Sequence, residues 1–264
     1  MSNSAVSLTV TNGEFYSCKS TPQRGGGIYI EGIGDVHIKQ TLFLECIAEA
    51  TNAGGSGGIE MWTVQKPPQI EECSFLLCKS GDDGGGLGIW SSPLYQETCV
   101  KECFFLECKL NHTTSSGGGG MIVWDSKAAI GCSECLFSKC HSAFIGGALC
   151  YCITSSTFTN IPLSSFCFFN QNTAKENCGN DAYFLEWTPT APFLHSFSTS
   201  SSFRIAVAPS TRTWTDVTTY MPSDNWLPQG LDLNSSSFTA NILIISGNSL
   251  TVLSIAFFED TFQY

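Results

Sequence analysis

Positive charge is scarce in this chain. Its 264 residues hold 12 Lys+Arg against 23 Asp+Glu, a net charge of −11, and charged residues of both signs make up only 13%. Phosphate contacts need clustered cations, so no nucleic-acid partner is expected. The same deficit leaves little to hold an anionic membrane surface. Apolar periods of helical length are also missing, which argues against an all-α fold. The N-terminus lacks a basic stretch followed by an apolar one, so no secretory signal is visible. The longest apolar stretch, Ile242–Phe258, is interrupted by Ser246, Gly247, Asn248, Ser249, Thr251 and Ser254. A membrane span needs ~20 predominantly apolar residues. The stretch reads better as two short strands around a Gly247-Asn248 turn. No phosphate-binding loop or dinucleotide motif occurs. The four histidines, His37, His112, His141 and His195, are too scattered to define a Ser/His/Asp constellation.

What the chain does have is Gly (25), Phe (19) and Cys (14), arranged periodically. Phe-x-x-Cys occurs at Phe15–Cys18, Phe43–Cys46, Phe75–Cys78, Phe105–Cys108 and Phe137–Cys140, and Phe169–Asn172 is a sixth copy with Asn in the last place. Between the copies lies a glycine pair followed by an apolar residue: Gly26-Gly27-Ile28, Gly57-Gly58-Ile59, Gly85-Gly86-Leu87, Gly119-Gly120-Met121 and Gly146-Gly147-Ala148. Two unlike motifs alternating at a spacing of about 30 residues mark a repeat architecture. Each unit holds short apolar runs between Gly-rich turns, so the expected unit is one coil of a parallel β-solenoid. Equivalent residues on adjacent coils then lie ~4.8 Å apart.

Alternation along a strand assigns faces. One residue after the glycine pair stand Ile28, Ile59, Leu87, Met121 and Ala148. Three residues after stand Ile30, Met61, Ile89, Val123 and Cys150, and both apolar sets should face inward. Phe75, Phe105 and Phe137 form an inward aromatic column, and Cys73, Cys103, Cys135 and Cys167 a further inward one. The glycine runs read as corners that need either φ > 0 or close approach of coils.

These paired motifs resemble the Phe-x-x-Asn and Gly-Gly-Ala-Ile repeats of the chlamydial polymorphic outer-membrane proteins, and the similar Cys-rich surface repeats of parasitic protists. Phe169-Asn170-Gln171-Asn172 matches the first motif fully, and Gly146-Gly147-Ala148-Leu149 nearly matches the second. The other copies place Cys for Asn, and Ile, Leu or Met for Ala. The resemblance covers about Gly13 to Trp187. It implies a right-handed parallel β-helix of the pectate-lyase (pectin lyase-like) type, displayed at a cell surface and associated with adhesion, and it implies no catalytic residue. Residues 1–187 are expected to form the β-helix. Residues 188–264 form a Ser/Thr-rich C-terminal segment with short strands, too aromatic at Trp214, Tyr220 and Trp226 for a simple linker. The first repeat begins almost at once, at Phe15, so either a piece of a longer polypeptide or a chain lacking its natural cap is expected.

The cysteines read three ways. Repeated C-x4-C spacing, with Cys132-x-x-Cys135 and His141 nearby, suggests zinc, but the spacing follows the coil period, which a dedicated metal site would not need. Buried thiols acting as small apolar groups and disulfides between adjacent coils both fit. Glu72, Glu102 and Glu134, each three residues before a repeat Phe, should stack as an outward acidic column. Mutual repulsion raises their pKa values unless a cation or the nearby Lys79 and Lys109 relieves it. That column is either a solvated face, a weak calcium site or a catalytic carboxylate group. Asp82-Asp83 reads as a loop tip.

Four residues after the glycine pairs come Glu31, Trp62, Trp90, Trp124 and Tyr151. Alternation turns this column outward, and an exposed aromatic strip of that size normally meets a partner. Trp62, Trp90, Trp124 and Tyr151 are therefore the expected ligand-binding residues, with coverage by another part of the chain as the competing reading. The expected function is non-enzymatic: a surface-exposed or secreted binding or adhesion protein contacting glycans or host proteins, with no cofactor, no resident metal and no membrane span. A polysaccharide lyase or glycoside hydrolase on the same fold is the alternative, and a structural spacer in a longer surface protein is a third.

Overall fold

The computed structural model describes residues 6–21, 24–49, 55–90, 96–111, 117–124, 129–152, 167–175, 180–185, 205–208, 218–220, 238–246 and 249–257. Among them there is no helix. The chain winds through four parallel sheets in turn and repeats the circuit. Sheet 1 stacks Ser7–Thr11, Asp35–Lys39, Gln69–Glu71, Gln96–Lys101 and Ala129–Ser133. Sheet 2 stacks Glu14–Tyr16, Leu42–Leu44, Ser74–Leu76, Phe104–Leu106, Leu136–Ser138 and Phe168–Asn170. Sheet 3 is made of two-residue strands, from Lys19–Ser20 to His141–Ser142. Sheet 4 stacks Ile28–Glu31, Ile59–Trp62, Leu87–Trp90, Met121–Trp124, Leu149–Cys152 and Ala182–Leu185. The fold is thus a parallel β-solenoid, as the repeat requires.

Sheet 4 continues past Trp187. Ile205–Ala208 pairs parallel with Ala182–Leu185, and Thr218–Tyr220 closes that edge in antiparallel sense. The remainder of 188–237 lies outside the described residues. The chain forms two compact units, Met1–Trp226 and Leu227–Tyr264. In the second, Phe238–Ser246 and Ser249–Phe257 form an antiparallel hairpin with Ser246 opposite Ser249, longer strands than the sequence suggested.

The two sequence motifs meet inside the solenoid. Phe15, Phe43, Phe75, Phe105, Phe137 and Phe169 form one column, with ring centroids 4.6–5.2 Å apart and planes within 7° of parallel. In the first four pairs the second glycine makes room for a ring of that column. A Cβ at Gly86 would lie 2.9 Å from the Phe105 ring, and one at Gly58 only 2.6 Å from the Phe75 ring. Close approach, not positive φ, is therefore what the glycines of these four pairs supply. The left-handed corners fall on other residues. Gln40, Glu72, Glu102 and Glu134 precede the Phe strand at φ 49–54°, and Ser17, Glu45, Leu77, Glu107, Lys139 and Gln171 follow it at φ 49–56°. Non-glycine residues in this region store about 1–2 kcal/mol each. Ladder hydrogen bonds hold them there, for example Glu72 N–H to the Lys101 carbonyl at 3.0 Å and Leu77 N–H to the Leu106 carbonyl at 2.9 Å.

All thirteen described cysteines are thiols, and most of them form two hydrogen-bonded ladders. Cys46, Cys78, Cys108 and Cys140 each donate S–H to the carbonyl of the repeat Phe one coil earlier in the stack, at 3.2–3.4 Å. At Asn172 the side-chain amide makes the equivalent bond, to Phe137 O at 3.1 Å. This explains why Asn and Cys exchange in the repeat: both are small side chains with a donor at the same reach. Cys73, Cys103, Cys135 and Cys167 form the second ladder at 3.5–3.6 Å. Burial pushes the Cys103 and Cys108 thiols well above the ordinary thiol range, so they stay protonated and can donate.

Segment lengths are not uniform. From sheet 1 to sheet 3 the path is constant: Val10 to Lys19, Ile38 to Ile47, Ile70 to Lys79, Val100 to Lys109 and Cys132 to His141 are equivalent pairs, each nine residues apart. From sheet 3 into sheet 4 the step varies. Lys79 to Leu87 takes eight residues, whereas Ile47 to Ile59 and Lys109 to Met121 each take twelve.

Candidate functional site

Three successive sheet 4 strands, Ile59–Trp62, Leu87–Trp90 and Met121–Trp124, end in a tryptophan. Register sets Glu31 beside Trp62, Trp62 beside Trp90, and Trp90 beside Trp124. The indoles stack, with centroids 4.9 Å apart for Trp62–Trp90 and 5.1 Å for Trp90–Trp124. These separations match the coil spacing, so the ring faces are turned on one another and the ring edges point away from the stack.

Tyr151 is not a member of this column. It pairs with Val123, is fully buried in the main core, and leaves Cys152 beside Trp124. The reason is a one-residue offset. Gly147 and Ala148 occupy the places of Gly119 and Gly120, so counting from Gly146-Gly147 shifts the fifth coil by one. A shift of one residue exchanges the two faces of a strand. The inward sets are therefore completed by Leu149 and Tyr151, not Ala148 and Cys150.

Exposure along the column is graded. Trp62 and Trp90 are half-buried, and Trp124 is 9% exposed. Trp124 belongs to a second apolar cluster on the outer side of sheet 4, with Ile122, Phe144, Ile145, Cys150, Cys152 and Tyr183, and Trp90 packs against that cluster. The expected exposed strip is thus only half-exposed at Trp62 and Trp90 and covered at Trp124. The Trp90 indole nitrogen is buried without a hydrogen-bond partner.

The Trp62 end is polar and tightly organised. Glu60, two residues earlier on the same face, is fully buried. Its carboxyl accepts from Trp62 Nε1 at 2.7 Å and from Ser56 Oγ at 2.6 Å. Gly88 is the register neighbour of Glu60, and any Cβ there would collide with Ser56 Oγ and the Glu60 carboxyl. Asp83 accepts the Gly55 N–H at 2.8 Å. Far from a loop tip, Asp82 and Asp83 are both buried, because Ser80 Oγ accepts their backbone N–H groups and folds the turn inward. Burial, reinforced by the Asp83 charge, pushes the Glu60 pKa well above the usual carboxylate range.

Arg24 closes the column at this end. Its guanidinium carbon lies 3.4 Å above the Trp62 ring centroid. Arg24 Nη1 donates to the Tyr29 hydroxyl at 3.3 Å, and that hydroxyl donates to Glu31 at 2.8 Å. Neither Arg24 nor Glu60 stands out by motif. The one sequence signal is Gly88, an isolated glycine inside a strand, which marks close approach of a neighbouring group.

The glutamate column lies elsewhere, on the corner between sheets 1 and 2. Glu102 and Glu134 are exposed. Glu72 receives Gln40 Nε2 at 2.7 Å and pairs with Lys39 at 2.9 Å, and these contacts lower its pKa. The cation that meets the column is Lys39, while Lys79 and Lys109 sit in sheet 3. His141 stands in sheet 3, with Nδ1 2.9 Å from Thr173 Oγ1. Among the described residues no group of three or more His, Cys, Asp or Glu side chains is placed to hold a metal ion, and no helix is long and apolar enough to cross a membrane. Comparison of the chain with protein-family models, curated proteins and solved structures returns no match.

Proposed function

We propose that this solenoid is a non-enzymatic binding or adhesion module, exposed at a cell surface or secreted, and that it contacts a protein partner along the Trp62–Trp90 edge of sheet 4. The observation that carries the reading is the pair of half-buried, stacked indoles, Trp62 and Trp90, whose ring edges face away from the stack. Indole area of this kind is typical of contact surfaces. Between the two ligand classes the sequence suggested, the ring geometry favours protein. A sugar ring packs on an aromatic face, and here each face is stacked on another indole or lies under Arg24. An extended polypeptide can lie along the ring edges and pair its own apolar side chains with them. The resemblance of Phe169–Asn172 and its sister motifs to surface adhesin repeats supports the placement at a cell surface.

The test is binding of the purified chain to intact animal cells, read by flow cytometry. Saturable binding is expected. It should fall for Trp62→Ala and Trp90→Ala, vanish when the cells are pretreated with protease, and survive glycosidase treatment. Equal binding by wild type and both variants overturns the proposal, and loss on glycosidase treatment alone overturns the choice of protein.

A further inference from the structure

We infer that the outer face of Trp62 is a guanidinium-binding cage, filled here by Arg24, and that the partner of the tryptophan column enters it with an arginine side chain in place of Arg24. The inference rests on the reading above and names the chemistry of the partner.

Four observations lead to it. A stacked column has ring faces free for a partner only at its two ends. One end, Trp124, is covered by Cys152 and the outer apolar cluster. The other end, Trp62, is half-buried, and the group on it is a planar cation at 3.4 Å, the separation of a close stack. Secondly, acidic groups surround that face. Glu60 accepts the Trp62 indole N–H, which draws negative charge toward the ring, and Glu31 holds the Tyr29 hydroxyl that meets the guanidinium. Thirdly, the cage walls are fixed independently of Arg24. Trp62 is clamped between its stack on Trp90 and its bond to Glu60, and Glu60 is clamped by Ser56 and by the gap at Gly88. Removing the occupant therefore leaves the shape in place. Finally, Arg24 is itself half-exposed, on a long side chain with several rotatable bonds. The net charge of −11 favours approach of a cationic segment.

Arg24 acts as a tethered competitor. A tethered group that fills the site about nine-tenths of the time leaves about one-tenth of the molecules competent, so deleting it should strengthen binding of a free guanidinium about tenfold. The probe is acetyl-arginine amide, with acetyl-citrulline amide as the neutral control of the same shape. The readout is the Trp62 indole N–H resonance of ¹⁵N-labelled protein, assigned by its loss in Trp62→Phe.

Arg24→Ala should bind acetyl-arginine amide about tenfold more tightly than wild type and should not respond to the citrulline control. Arg24→Gln, which keeps a planar but neutral head, repeats the measurement should Arg24→Ala fold poorly. Arg24→Ala combined with Trp62→Phe should bind more weakly than Arg24→Ala, followed through the Tyr29 ring resonances. Equal affinity of wild type and both Arg24 variants overturns the cage, and so does equal binding of arginine and citrulline probes. Cell binding that depends on Trp62 and Trp90, without arginine binding by the Arg24 variants, overturns the cage and spares the adhesion surface. Arginine binding without cell binding does the reverse.

Discussion

Replacing Gly86 by Ala should destabilise the solenoid through a single ring, and a second substitution should undo part of the damage. A Cβ at Gly86 would lie 2.9 Å from Phe105 Cδ1, 3.2 Å from Cε1 and 2.9 Å from the Gly120 carbonyl. Ordinary carbon contacts begin near 3.5 Å, so ring or coil must yield by about half an ångström. The ring has nowhere to go, because Phe75 lies 4.7 Å on one side and Phe137 4.6 Å on the other. Overpacking of this kind lowers stability by about 1–3 kcal/mol. Phe105→Leu alone also destabilises, by leaving part of the ring volume empty. In Gly86→Ala/Phe105→Leu the added methyl occupies part of that volume. The double variant should therefore be more stable than the sum of the singles predicts, by at least ~0.5 kcal/mol. Native chemistry already shows the accommodation: Ala148 takes the place of the second glycine in the fifth coil, and the Phe137–Phe169 step is the widest in the column at 5.2 Å. Urea unfolding followed by circular dichroism measures all four corners of the cycle. A neutral Gly86→Ala, or strict additivity with Phe105→Leu, refutes the account of how the two motifs fit.

Three further outcomes are expected. Glu60, with its pKa raised above the ordinary 4.5, binds its proton more tightly folded than unfolded. Its contribution is therefore complete below the unfolded pKa and is lost as pH rises through the folded value, so the urea midpoint should fall with pH in wild type and fall less steeply in Glu60→Gln. Asn172→Ala should lower stability by about 2–4 kcal/mol, since it removes three buried hydrogen bonds at once, from the Cys140 N–H and to the Phe137 carbonyl and Asp181 Oδ1, whereas Asn172→Cys, which restores the bond to Phe137, should lose roughly half as much. Under native conditions iodoacetamide should label Cys18 ahead of the other described cysteines, all of which are buried, and peptide mass spectrometry that finds Cys78 or Cys108 alkylated equally fast would contradict their burial.

The solenoid was legible because its period is written in large residues. Phe, Cys and Gly recur in a fixed order, and the stacking of Phe75 on Phe105 on Phe137 follows from alternation alone. The tryptophan column was legible for the same reason, except at its end. There Gly146, with its own positive φ, imitates the first glycine of a pair, and only the ladder bond from Gly119 N to Gly146 O, in line with Gly85 N to Gly118 O, reveals the offset. Burial on the outer side of sheet 4 was not legible. Alternation says that Glu60 and Trp124 point away from the main core, but whether such a side chain meets water depends on what crosses above it. Ser56, Asp83, Phe144 and Ile145, on the passage from sheet 3 into sheet 4, bury those outward groups. Arg24 was illegible too, because a stacking partner outside the repeat leaves no mark in its period.

The uneven spacing of the coils tells where such a chain can change. Between sheets 1 and 3 an extra residue would carry the following strand half a pleat out of phase and turn its apolar set toward water, so the nine-residue path behaves as a fixed gauge. The passage into sheet 4 already tolerates both eight and twelve residues within one molecule. Lengthening a loop raises its closure entropy only slowly, by about 0.6 kcal/mol per doubling. Insertions would therefore accumulate on the tryptophan side while the Phe and thiol columns stay unaltered. A lineage of such proteins could vary the loops beside its binding edge and keep one rigid stem, and an engineer could graft peptide segments at the same seam.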